Sequence, residues 1–251
     1  MKNIRRATPA ALALTVLLTG CATATTQNKN APTGPVTVFA AASLKGAFTE
    51  IAREHPDLKV TFNYDGSNSL VDQLAGGARA DVLATADTKN MDKAQEKKVT
   101  AGDPKVFAGN ILVLITPKDD PGQITGLDAS LTGKKLVTCA AGVPCGNATR
   151  TLAENLGLTL QPVSEETKVT DVRGKVESGE ADAGIVYATD AKASGDKVRT
   201  IAVPGSDKVV NRYPITLVKD ADHEGTGKAF IAAVLSDKGR QILARHGFTT
   251  P

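Results

Sequence analysis

Short apolar runs alternate with segments of helical spacing along almost the whole chain, and this alternation most narrows the fold. "VTVFAA" runs into a helical pattern from Ser43 to about His55. "KVTFNYDGS" precedes a pattern near residues 68–76, and "ADVLATAD" precedes one around residues 91–98. "NILVLITP" reads as one strong strand ended by Pro117. "KLVTCAAGVP" leads to "CGNATRTLAENLG", where Ala148, Leu152 and Leu156 share a face and Gly157 suits the position just past a helix end. "VTDVRGKVESGEAD" predicts a short helix, "AGIVYATDA", "VRTIAVP" and "YPITLVKD" predict strands, and one helix is expected through "GKAFIAAVLSDKGRQILARHG". Repeated strand–helix units build mainly parallel, doubly wound α/β sheets. Ligands of such sheets sit beyond the carboxyl ends of strands, against helix starts.

The first residues stand apart from this pattern. Residues 1–20 carry a basic start (Lys2, Arg5, Arg6), an apolar run from Ala10 to Leu18 and then "LLTGC", the layout of a signal peptide. The apolar run is too short for a permanent membrane span. "LTGC" resembles a lipobox, which makes Cys21 the expected lipidated first residue of the mature chain, outside the cytoplasm and held to the membrane. Secretion with cleavage elsewhere is the alternative. Residues 21–35 read as a polar tether, and the fold is expected to begin near Val36. The leader takes three of the 30 basic residues and none of the 27 acidic ones, so the remainder is balanced in charge. With no basic block and 4% aromatics, nothing points to nucleic acid.

Several strand-to-helix joints carry small or hydroxyl residues: "AAASL", "DGSNSL" and "GVPCGNAT". A helix start offers free N–H groups and the positive end of the helix dipole. Several converging starts can hold an anion without any cationic side chain. The plain alternative for Ser43, and for Ser67 or Ser69, is helix capping, the usual role of serine there.

"VTVFAAASL", "GSNSLVDQL", "GARADVLATAD", "DVRGKVESGEADAGIVYATDA" and "YPITLVKD" together resemble the molybdate-binding proteins of ABC importers, from about residue 36 to the closing "RHGFTTP". The resemblance implies a two-lobe type II binding-protein fold, with residues 36–116 and 213–251 in lobe 1 and residues 117–212 in lobe 2. It implies capture of molybdate or tungstate between the lobes, no cofactor and no catalysis, a monomer, and membrane permease subunits as partners. It places oxyanion donors at Ser43 and Ser67, at the backbone of Cys145 and Val172, and at the Tyr187 hydroxyl. On bare sequence, Tyr187 is more often a core tyrosine, since most tyrosines bury their ring for packing. Asp65, two residues before Ser67, departs from the family pattern and is expected to point away from the anion.

Cys139 and Cys145 are not a general feature of that family. Once Cys21 is lipidated they form an even pair outside the reducing cytoplasm, and the intervening "AAGVP" can turn back on itself. A disulfide is therefore expected, against two free thiols. His55, His223 and His246 neighbour no serine or cysteine in a catalytic motif, and no metal-ligand cluster stands out. Sulfate remains the serious rival ligand, having the same charge and shape as molybdate and only a smaller size.

Overall fold

The computed structural model describes residues 34–250; the leader, Cys21 and the tether up to residue 33 lie outside them. The first half of the chain runs β1 (Val36–Ala41), α1 (Lys45–Glu54), β2 (Val60–Asp65), α2 (Ser67–Ala75), β3 (Val82–Ala84), α3 (Thr88–Glu96) and β4 (Thr100–Asn110). It continues through β5 (Leu112–Pro117), β6 (Leu136–Cys139), α4 (Pro144–Asn155), β7 (Ser164–Glu166), α5 (Val169–Glu177), β8 (Ala183–Tyr187), α6 (Ala188–Ser194) and β9 (Val198–Ala202). β10 (Asn211–Val218), α7 (Glu224–Leu235) and α8 (Asp237–Arg245) close it.

The strands form two five-stranded sheets, ordered β2-β1-β3-β10-β4 and β7-β6-β8-β5-β9. In each, the first three strands are parallel and the fourth runs against its neighbours. Those fourth strands follow the two chain crossings: β5 opens the second sheet and β10 returns to the first. Two lobes of one design therefore face each other, and the carboxyl ends of their parallel strands turn toward the cleft between them. β1 is almost wholly buried between its neighbours and the helices α2 and α7, and α1 sends Phe48 against Phe107 and Phe230 at ring-centroid distances of 5.7 and 5.4 Å. Few aromatics are available, and lobe 1 concentrates them at that point.

The crossing falls earlier than the apolar run suggests. β5 pairs with β8 and β9, so residues 112–116 belong to lobe 2, not lobe 1. Asn110 causes the break: its Oδ1 accepts the Ile111 N–H at 3.1 Å, and Ile111 stands between two strands of different sheets. The return crossing lies between β9 and β10, so Asn211 and Arg212 already belong to the first sheet. β4 carries Gly102 and Pro104 and has little strand character of its own. It forms because β10 lies beside it, with register shifts where the pairing is irregular. The closing helix is two helices, because Ser236 is extended and its Oγ accepts the Gly239 N–H at 3.0 Å.

Candidate functional site

Five helix starts meet in the cleft: the 3₁₀ turn Ala42–Leu44 that leads into α1, and the starts of α2, α4, α5 and α6. None has a side-chain cap. Elsewhere, α3 is capped by Asp87 and α8 by Ser236, though α7 is also uncapped. The serines of the first two joints are not caps; the cap positions fall on Ala41, Leu44 and Gly66. Their hydroxyls are not spent on capping.

The cavity between these starts is lined by Ser43, Ser67, Cys145 and Tyr187, with Lys168 and Val169 from the start of α5. It is tight, with a volume of only about 10 Å³. A compact ion suits such a space and an extended organic solute does not. Ser67 is 1% exposed, and its Oγ accepts the Ala86 N–H at 3.0 Å, which leaves the hydroxyl proton for a ligand. Ser43 Oγ lies 3.0 Å from Tyr213 Oη. Cys145 is the second residue of α4, behind Pro144, so its N–H precedes the helical ladder, whose first bond runs from Asn147 to Val143. A disulfide joins Cys145 to Cys139 at the end of β6, with 5.7 Å between the Cα atoms.

Tyr187 has the most telling surroundings. Its side chain is 1% exposed, and among the described residues its hydroxyl finds no partner in good hydrogen-bond geometry, though Tyr213 is near enough to bear on it. Leaving a buried hydroxyl unpaired costs about 1–3 kcal/mol, so the group implies a partner the protein chain does not provide. Burial, reinforced by Tyr213, Asp87 and Asp190, holds the phenol well above its ordinary pKa. It is a neutral donor at any working pH.

Val172 does not line the cavity. It is the fourth residue of α5, where the N–H reaches the start of the helical ladder, and its side chain packs over Gly184. The same helix presents Lys168 and Val169 to the cavity. Lys168 also qualifies the reading of a site without lysine or arginine: it occupies the cap position of α5, with its ammonium 4.0 Å from Asp171. Asp65 lines the cavity edge, but both carboxylate oxygens are occupied. One accepts the Gly66 N–H at 2.8 Å and the other accepts Gln73 Nε2 at 3.2 Å. Behind Tyr187, Asp190 is 2% exposed and 3.8 Å from Arg173. Burial pushes its pKa up to about 7 against the pull of Arg173, so the carboxyl puts less than a full negative charge behind the site at neutral pH.

Cross-lobe contacts hold the cleft closed. Asn90 Nδ2 donates to the Gly142 carbonyl at 3.3 Å, and Asn147 Nδ2 donates to Asp87 at 3.4 Å. At the hinge, Asn110 Nδ2 donates to Thr189 Oγ1 at 2.8 Å. Ala86, Lys168, Asn110 and Tyr213 escape sequence reasoning as site residues. Ala86, Asn110 and Tyr213 leave a trace only as parts of "GARADVLATAD", "NILVLITP" and "YPITLVKD".

Two lobes closing over a buried chamber of donors are the architecture of a solute-binding protein. Residues 36–249 match the family model described as bacterial extracellular solute-binding protein, and the chain belongs to that family. The molybdate-binding protein ModA of Mycobacterium tuberculosis is 40% identical over 233 residues, covering 88% of this chain and 89% of that protein. The periplasmic molybdate-binding protein of Azotobacter vinelandii shares the fold with a TM-score of 0.75 at 19% identity, covering 86% of this chain and 99% of that one. The sulfate-binding protein SubI of Mycobacterium tuberculosis does so with a TM-score of 0.68 at 17% identity, covering 87% of each.

Proposed function

We propose that this protein is the extracytoplasmic capture subunit of an ABC importer for molybdate, or its near twin tungstate. The observation that carries the reading is the buried Tyr187 hydroxyl, left without a protein partner in a chamber of uncapped helix starts. The similarity to proteins named as molybdate binders supports the choice of anion. Ser43, Ser67 and Tyr187 donate through hydroxyls, Cys145 through its N–H, and α5 through its first turn, from Val169 toward Val172. About six charge-assisted bonds at roughly 1.5–3 kcal/mol each give on the order of 9–18 kcal/mol gross. Micromolar to nanomolar affinity needs about 8–12 kcal/mol net, so lobe closure and anion desolvation can be met from the surplus. The protein works by binding and handing over, as one chain, to membrane permease subunits, and carries out no reaction.

Sulfate is the second reading, favoured by the shared fold of a sulfate-binding protein. Calorimetric titration of the mature chain separates the two. Molybdate and tungstate should bind at micromolar concentration or below, with sulfate far weaker; equal affinity for sulfate and molybdate would overturn the molybdate reading. Anchoring through a lipidated Cys21 belongs to the same proposal, motivated by "LTGC". Cys21→Ser should release the protein from the membrane fraction or stop its maturation. A variant processed normally and still membrane-bound would contradict the anchor.

A further inference from the structure

The Ser43 hydroxyl faces the cavity, yet its oxygen is 3.0 Å from Tyr213 Oη, and either could donate to the other. The next link decides the direction. Asn110 Oδ1 accepts the Ile111 N–H, which fixes the amide so that Nδ2 points the other way. That Nδ2 donates to Thr189 Oγ1 at 2.8 Å and to Tyr213 Oη at 3.3 Å. Tyr213 Oη is thus already an acceptor, and its own proton needs a destination. Tyr213 is 0% exposed; Tyr187 Oη lies near enough to bear on its phenol but does not meet hydrogen-bond geometry, whereas Ser43 Oγ does at 3.0 Å. Burial holds the Tyr213 phenol far above its ordinary pKa, so the proton stays. A buried hydroxyl proton left unpaired costs about 1–3 kcal/mol, and Ser43 Oγ is the acceptor within reach.

We propose that Asn110 and Tyr213 form a one-way hydrogen-bond relay that holds the Ser43 hydroxyl as a donor to the bound anion, and so act as specificity-determining residues against anions bearing their own O–H. The proposal rests on the oxyanion reading above. An anion such as hydrogen phosphate carries a proton that must find an acceptor. Ser43 Oγ would be the nearest candidate, but with one lone pair held by the Tyr213 proton its own O–H turns toward the anion and would meet the ligand's proton donor against donor. Ser67 is arranged the same way, since the Ala86 N–H takes its oxygen. Asp65, the carboxylate at the cavity edge, already accepts from Gly66 and Gln73. The relay starts at the lobe crossing, where Asn110 also holds Thr189 of lobe 2. Closure and donor orientation are therefore set by the same amide.

The test is a double-mutant cycle read on two anions. Wild type, Tyr213→Phe, Ser43→Ala and the double variant are titrated with molybdate and with phosphate at pH 7. Tyr213→Phe should weaken molybdate binding about 3- to 10-fold, the worth of one ordinary hydrogen bond. Phosphate binding should fall less or rise, so that the molybdate-to-phosphate ratio drops. In the Ser43→Ala background, adding Tyr213→Phe should leave that ratio unchanged. Asn110→Leu breaks the relay one link upstream at similar volume, and should lower the ratio in the same sense if Tyr213→Phe does not fold. An equal loss for both anions, or the full Tyr213→Phe effect persisting without the Ser43 hydroxyl, would make the tyrosine a packing residue and end the proposal. A wild type that discriminates while every folded variant keeps its ratio would also end it, leaving the oxyanion reading intact. A wild type that binds no oxyanion would overturn both.

Discussion

Gly66→Ala is expected to weaken anion capture about 100-fold while leaving the melting temperature of the unliganded protein nearly unchanged. Gly66 sits between β2 and α2 in lobe 1, with φ −62° and ψ 138°, backbone angles that any residue can adopt. The constraint is steric and comes from the other lobe. A Cβ on Gly66 would lie 2.3 Å from the backbone carbonyl oxygen of Thr167, just before α5. No side-chain rotation relieves a collision with backbone, so the lobes must stay apart by about an ångström. Overpacking of this kind costs about 1–3 kcal/mol. The same displacement draws the α5 start away from the anion and loses donor contact as well. Apparent affinity falls with the population of the competent closed state, tenfold for each 1.4 kcal/mol or so. Each lobe keeps its own core, so folding is spared. Calorimetric titration and a thermal melt without ligand check both halves. Affinity within threefold of wild type would show that closure does not need this approach; a large fall in the melting temperature would show that the glycine serves folding instead.

That glycine illustrates what a linear sequence conceals. The strand–helix alternation is legible because periodicity is local: β1, α2 and α4 form where apolar spacing places them. Of the residues gathered in the cavity, Ser43, Ser67 and Cys145 lie at legible joints where a buried run meets a helix, whereas Tyr187 is marked only by the family resemblance. Whether such a serine caps its helix or faces a ligand is not legible. The two outcomes differ by a shift of one residue, and here the cap positions are Ala41, Leu44 and Gly66. Contacts across long sequence separations leave no local sign. Ser43 and Tyr213 are 170 residues apart, and Asn110 and Tyr213 are 103. β4 is the same problem in the backbone, a glycine- and proline-bearing segment that becomes a strand only through β10. The lobe crossing is hidden in the sequence because β5 begins two residues after β4 ends, and one apolar run covers the boundary. Val172 ends the first turn of the helix that reaches the cavity, and the lining falls on Lys168 and Val169 at the start of that turn. Such a difference is set by where α5 starts, and helix starts are among the least determined features of a sequence pattern.

Tyr187→Phe should lower affinity for the anion while leaving the empty protein as stable as before, or more so. The two effects have one cause. The Tyr187 hydroxyl is buried in lobe 2 with no hydrogen-bond partner among the protein groups, so the unliganded, closed protein bears the cost of an unsatisfied polar group. Deleting the oxygen removes that cost, about 1–3 kcal/mol where no water compensates it. The ring keeps its packing, including the edge contact with Tyr213 at 6.0 Å between centroids. In the complex the same deletion removes a donor to a charged acceptor, worth about 1.5–3 kcal/mol, or roughly 10- to 150-fold in affinity. The loss should be flat with pH, because a phenol held well above its ordinary pKa does not titrate in the working range. Tyr213→Phe provides the contrast: its hydroxyl is hydrogen-bonded on both sides in the empty protein, so its removal should cost stability. Thermal melts with and without molybdate, on both variants, read the two signs separately. If Tyr187→Phe destabilised the empty protein as much as Tyr213→Phe, or bound molybdate as tightly as wild type, the hydroxyl would be a structural group and not an anion donor.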